Sequence, residues 1–185
     1  MARGNTHAIR MKRAAAALVC VLLAGCVNME ESYRPPIRRQ PMAGPIGEPE
    51  LSAVRMNDPQ AAAHFVRDID TQLIGGLWRW TARHPQLRLR APAKPPVKLK
   101  VEYRVAEVLF KETGPVTVSF VVGGKKLGEA RCDAPGLRKF EKEIPPDLLS
   151  PGEPVEVVMD VDKVFRAPDT GRLYGIQLIR VALEP

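Results

Sequence analysis

Two tryptophans, Trp78 and Trp80, flank Arg79 and form the most chemically suggestive cluster in the chain. In a strand, alternation sends both rings to one face and the guanidinium to the other. Large flat rings with a polar edge can hold a sugar ring by apolar stacking. The same rings can equally cover a core in a chain that is only 5% aromatic, and at this level both readings stand. Asp169 and Arg172 make a second pair in a loop. They either bridge to each other and shape the loop, or contact a ligand. Arg79, Arg83, Arg88 and Arg90 also cluster in sequence and could meet an anionic polysaccharide or lipid phosphate.

Catalysis has no comparable constellation. His64 and His84 lack a third metal ligand at sensible spacing. No serine sits in a Gly-x-Ser-x-Gly frame. Gly123-Gly124-Lys125 lacks the spacer and following helix of a phosphate loop. Glu141 and Glu143 lie two apart, as on the solvated face of a strand. Asp160 and Asp162 lack the further oxygen ligands of a calcium site. The expectation is a chain with no catalytic residue, no metal and no cofactor. A small accessory enzyme would need His84, an acid and a hydroxyl in one pocket.

The distribution of composition along the chain indicates what must position these residues. The chain has 185 residues, 28 Lys and Arg against 21 Asp and Glu, and a formal charge of +7. Residues 1–25 carry four of the basic residues (Arg3, Arg10, Lys12, Arg13) and no acid, so the rest of the chain is only +3. That small excess, on a chain read as exported, argues against a nucleic-acid partner. The apolar run Ala14–Ala24 has 11 residues, where a membrane-spanning helix needs about 20. It suits the core of a signal peptide. It ends in Leu23-Ala24-Gly25-Cys26, which resembles the lipobox of bacterial lipoproteins. The resemblance implies cleavage before Cys26, acylation of its thiol and a lipid-anchored place on the cell envelope. An ordinary secretory signal is the other reading, and a start at Met11 would leave the lipobox intact. In the enteric sorting rule known from that family, a residue other than Asp after the cysteine, here Val27, favours the outer membrane. Cys20 leaves with residues 1–25, so Cys132 has no partner for an intramolecular disulfide and reads as a small buried apolar residue.

Residues 26–57 read as a proline-rich tether, with Pro35, Pro36, Pro41, Pro45 and Pro49 within fifteen residues. Residues 58–185 read as a helix followed by a β-sandwich. Asp58-Pro59 opens the helix. Ala62, Phe65, Ile69 and Leu73 give it one apolar stripe, and Gly75-Gly76 stops it, for a helix over about 59–73. Beyond Gly76 the apolar period becomes two. Leu87 and Leu89, Val97 to Tyr103, Val116 to Val122, and Val155 to Val161 all alternate with polar or exposed positions. Gly123-Gly124 marks a hairpin, with strands at 125–132 and about 138–143 after it. Pro145 to Leu149 reads as a short turn. The last strand, about 173–183, is apolar on both faces and therefore central. Seven or eight strands without intervening long helices imply a mainly β, antiparallel sandwich.

From Gly114 to Leu183 this order is similar to the galactose-binding-domain-like jelly rolls. In those, a loop carrying Asp and Arg precedes the last strand and is followed by Leu and Gly. The matching positions are Asp169, Arg172, Leu173 and Gly175. The resemblance implies a jelly-roll binding module whose ligand is left open, because this fold hosts many functions. The resulting expectation is a lipid-anchored, non-catalytic envelope module for carbohydrate or a protein partner. The alternative is a structural subunit without a small ligand.

Overall fold

A computed structural model describes residues 51–185 of the chain. Its strands are β1 (Ala53–Arg55), β2 (Phe65–Ile69), β3 (Arg79–Arg90), β4 (Val97–Val105), β5 (Val116–Val122), β6 (Lys125–Cys132), β7 (Gly136–Ile144), β8 (Pro154–Val161), β9 (Phe165–Arg166), β10 (Leu173–Tyr174) and β11 (Gln177–Glu184). One sheet runs β6-β5-β8-β3-β2, and a second runs β7-β4-β11 with β1 on the far side of β11. All pairings are antiparallel. The long strand β3 joins both sheets. Its start, Arg79 and Trp80, pairs with Leu178 and Gln177 of β11, while Gln86 to Arg90 pair with β8. Strands β9 and β10 form a separate hairpin.

The alternation in the sequence is the cause of this layering. In β4, β5 and β8 the apolar positions are buried and their neighbours are at least partly exposed, so each strand gives one face to a shared core. Phe120 of β5 stacks on Phe140 of β7 at 3.8 Å between ring centroids, and Tyr103 of β4 lies 6.0 Å from Phe120. These rings fasten one sheet to the other. Strand β11 is paired along both edges, as its two apolar faces predict. Gly123 and Gly124 adopt φ of +56° and +81°, which a two-residue turn of this hand requires. Cys132 is buried, with its sulfur 3.6 Å from the Tyr103 hydroxyl. Burial of that phenol, and then its contact with the thiol, push the Tyr103 pKa up and keep it neutral.

The helix expected over 59–73 is absent. Residues Ala61–His64 form one 3-10 turn, and Phe65–Ile69 form β2 against β3. A spacing of four fits both a helix and a strand, so Phe65 and Ile69 alone did not separate the two. Two irregularities in the β2–β3 register, with Asp68 at φ +59°, let Arg67 turn outward between them. Asp58 does cap, accepting the Gln60 N–H at 2.7 Å, but it closes a turn. The α-helix among the described residues is α1 (Glu107–Thr113), between β4 and β5. It buries Leu109, starts on Glu107 and ends at Gly114, φ +71°. The tether boundary also moves. Val54 and Met56 are in the core and β1 pairs with β11, so residues 51–57 belong to the folded unit. The signal-peptide and lipidation readings, and the rest of the tether, fall on residues 1–50, outside the described residues.

The outer face of the second sheet is a lattice of opposite charges. Lys98 pairs with Glu141 at 3.0 Å, Lys139 with Glu102 at 3.7 Å, and Glu184 with both Lys100 and Arg180. Hydrogen bonds from Lys100 and Arg180 hold the Glu184 carboxyl below its ordinary value of 4.5. The unfolded chain therefore takes up this proton more readily than the folded one. The stabilisation is complete above pH 4.5 and disappears as pH falls through and below that value. Chemical denaturation at stepped pH is expected to show acid loss of stability that Glu184→Gln makes shallower; an unchanged slope would remove this carboxylate from the account.

Candidate functional site

Three stretches, one of them far from the other two in sequence, meet beside the start of β3. They are the end of β2 with the residues after it, the segment Trp80 to Ala82, and the β9–β10 hairpin with its loop. Together they line an open cleft of about 560 Å³, within the usual size of small-molecule sites. Trp80 and Tyr174 supply aromatic wall, with ring centroids 5.2 Å apart. Phe165 completes the cluster at 5.8 Å from Trp80 and 5.6 Å from Tyr174. Both lining rings are half-buried, so each is held by its neighbours and still presents surface. Ile69 and Leu173 add aliphatic lining.

The polar groups of the cleft are held by hydrogen bonds both within and between its stretches. Asp68 adopts a left-handed backbone, which aspartate tolerates better than most residues; its Oδ2 accepts the His84 N–H at 2.9 Å, across to β3. The Asp70 N–H donates to the Trp80 carbonyl at 2.8 Å, and Asp70 Oδ1 accepts the Gln72 N–H at 3.0 Å. Asp70 Oδ2 accepts from Arg172 Nη1 at 3.0 Å, across 102 residues of sequence. The Tyr174 hydroxyl and then the Asp70 carboxylate hold Arg172 further toward its charged form. Arg166 donates through Nη1 to the Gly171 carbonyl at 2.6 Å. The hairpin loop is closed by Ala167 N–H to Arg172 O and Gly171 N–H to Ala167 O, at 2.9 and 2.8 Å. Below it, the Gly175 N–H reaches the Thr81 carbonyl at 2.6 Å and ties the hairpin to β3. The result is an open hollow with flat apolar walls, carboxylates that accept and guanidinium groups that donate.

The structure divides the residues singled out in the sequence. Trp80 and Arg172 line the cleft. Alternation holds around Arg79, whose guanidinium turns inward and is buried. Its Nε donates to the Met56 carbonyl at 2.9 Å, its Nη1 to the Thr71 carbonyl, and it lies 5.5 Å over the Phe65 ring. Arg79 is thus a buried staple between the segment after β1, the β2–β3 connection and the Phe65 ring, and it is not among the residues lining the cleft. Trp78 does not join Trp80 in one platform. Its ring lies 5.5 Å under the Arg104 guanidinium, and its Nε1, like Oε1 of Gln177, is buried without a hydrogen-bond partner among the described residues. The Asp169–Arg172 bridge does not form, because Arg172 pairs with Asp70 and Asp169 Oδ1 accepts the Thr170 N–H at 2.8 Å. Asp68, Asp70 and Tyr174 were not singled out by sequence reasoning. The contrast of Asp68-Ile69-Asp70 with the apolar stripe assigned there was the one available signal.

Elsewhere, His84 Nδ1 lies 3.0 Å from Asp160 Oδ1 on the open face of the first sheet. Ser119 is the register partner of Asp160 on β5, so the acid stands between the strands bearing the imidazole and the hydroxyl. A nucleophile relay needs the imidazole in the middle. A second hollow of about 350 Å³ lies among Pro92, Pro95, Pro96, Ile144, Leu149 and Pro151, with Glu143 its one charged lining residue.

No family model and no curated protein matches the chain. Among solved structures, it is similar to a carbohydrate-binding module described for specific mannan recognition, TmCBM27. The identity is 14%, covering 71% of this chain and 94% of that one, with a TM-score of 0.44. It is also similar to CBM35 of Cellvibrio japonicus Abf62, at 16% identity, 72% and 94% coverage and TM-score 0.41. A CBM36 module solved with calcium and xylotriose matches at 12% identity, 72% and 100% coverage and TM-score 0.39. Scores of this size transfer neither site nor ligand to this chain.

Proposed function

We propose that the chain is a non-catalytic carbohydrate-binding module, held on the cell envelope by a lipid on Cys26. The observation that carries the binding reading is the cleft beside β3. There, Trp80 and Tyr174 offer ring faces next to the hydrogen-bonding pair Asp70–Arg172. Sugars present the same combination, apolar C–H faces edged by hydroxyls that both donate and accept. The anchoring reading is supported by the sequence Leu23-Ala24-Gly25-Cys26 after a short apolar run.

Screening the protein against a panel of envelope and plant-type oligosaccharides, followed by calorimetry, tests the first part. Trp80→Leu keeps part of the apolar volume in the ring cluster but removes the stacking face. It is expected to weaken binding at least tenfold, about 1.4 kcal/mol, with an unchanged circular dichroism spectrum. Equal affinity of the variant would move the site elsewhere. For the anchor, Cys26→Ala should release the protein from membranes and abolish an acyl mass seen on the wild type. Retention at the membrane, with no acyl mass on the wild type, would end the lipoprotein reading.

A further inference from the structure

We infer that this cleft selects an uncharged, hydroxyl-rich ligand over an anionic one, a refinement that rests on the carbohydrate-binding reading above. Four charged residues line it: Asp68, Asp70, Arg166 and Arg172. Their formal charges cancel, and the other lining residues are uncharged. The carboxylates are fixed in place, since Asp68 and Asp70 each bond a backbone N–H. A uronate or other acidic sugar brings oxygens that only accept. Those oxygens can reach Arg166 or Arg172, but Asp68 and Asp70 in the same lining cancel that attraction while the ligand's charge must still shed its water, which disfavours the complex. A cationic ligand meets the mirror problem at Arg166 and Arg172. A neutral hydroxyl donates to a carboxylate with its proton and accepts from a guanidinium with its lone pairs, so it satisfies both kinds of wall. Adjacent hydroxyls on one ring match the Asp70–Arg172 pair, whose polar atoms are 3.0 Å apart. A neutral ligand carries no charge for the protein's field to attract, so its recognition by this cleft depends little on ionic strength.

The test titrates the chain with neutral oligosaccharides of mannose, galactose, xylose and glucose, and with oligogalacturonate. It is run at about 0.02 M and about 0.3 M salt, where charge screening differs widely. The best neutral sugar is expected to bind at least tenfold more tightly than oligogalacturonate, and to change less than about twofold between the two salts. Asp70→Asn keeps an acceptor for the Gln72 N–H but leaves the cleft with net positive charge. Oligogalacturonate should then gain at least threefold at the lower salt and lose that gain at the higher. Arg172→Gln makes the cleft net negative and should weaken oligogalacturonate further, which gives a second reading of the same principle. Tighter binding of oligogalacturonate by the wild type, or neutral-to-acidic ratios untouched by both variants, overturns the selectivity while leaving carbohydrate binding intact. Binding of neither class overturns the carbohydrate reading itself.

Discussion

Phe120→Ala is expected to destabilise the domain by about 3–5 kcal/mol, the range for emptying an aromatic site in a packed core. Phe120 is fully buried, stacked at 3.8 Å on Phe140 and within 6.0 Å of Tyr103. Its strand belongs to one sheet and both of those rings to the other. The lost side chain therefore removes the main aromatic contact holding the layers together, and packed neighbours cannot collapse fully into the space. For a domain of this size the melting temperature should fall by roughly 10–20 °C. Phe120→Leu, which keeps much of the volume, should recover about half of the loss. Thermal melts of the three proteins check this. A fall of only a few degrees for Phe120→Ala would mean that the sheets are held together mainly elsewhere.

Gly175→Ala is the second large effect, and it links stability to the cleft. A Cβ at this position would stand 2.6 Å from the Ala82 carbonyl oxygen and 3.2 Å from Thr81 Oγ1. Both neighbours belong to β3, where Thr81 is held in register with Ile69 and bonded through its N–H and its Oγ1 to the Ile176 carbonyl, so this part of the strand has little room to yield. The chain must therefore part where Gly175 donates to Thr81, at a cost of about 3 kcal/mol. Because Tyr174 is the preceding residue, its ring is expected to leave Trp80, opening the aromatic wall. Tryptophan fluorescence should report that separation, and sugar affinity should fall together with the melting temperature. A variant as stable as the wild type would show that β3 yields at this point.

The alternating strands β4, β5 and β8 could be read from sequence because each has one face in the core and one in water. Burial of Tyr103, Phe120 and Met159 follows directly from that period. The hairpin at Gly123-Gly124 was legible for a different reason, since its backbone conformation belongs to glycine. Strand β2 was not legible, because Phe65 and Ile69 are four apart and the bulged segment between them hides a period of two. Helix α1 carried end signals, Glu107 and Gly114, but only Leu109 is buried, too little for an apolar stripe. Of the residues lining the cleft, Trp80 stands out in sequence by residue type and Arg172 by the loop pattern of the jelly-roll resemblance. Their partners do not, because Asp70 is 102 residues from Arg172 and Tyr174 is on a different strand from Trp80. Such contacts come from the order of strands, which local spacing does not encode. Arg79 shows the converse error: alternation gave its direction correctly, and that direction is into the protein.

Strand β1, where the folded unit begins after the proline-rich segment, pairs with Arg180 to Ala182 of β11. The start of β3, which carries Trp80 of the cleft, pairs with Gln177 and Leu178 of the same strand, along the same edge. In a lipid-tethered protein gripping an immobile glycan, tension between anchor and ligand would pass through this short stretch of β11. The β5, β6 and β8 layer would stand outside the line of force, so the domain would transmit a pull without shearing its two sheets apart.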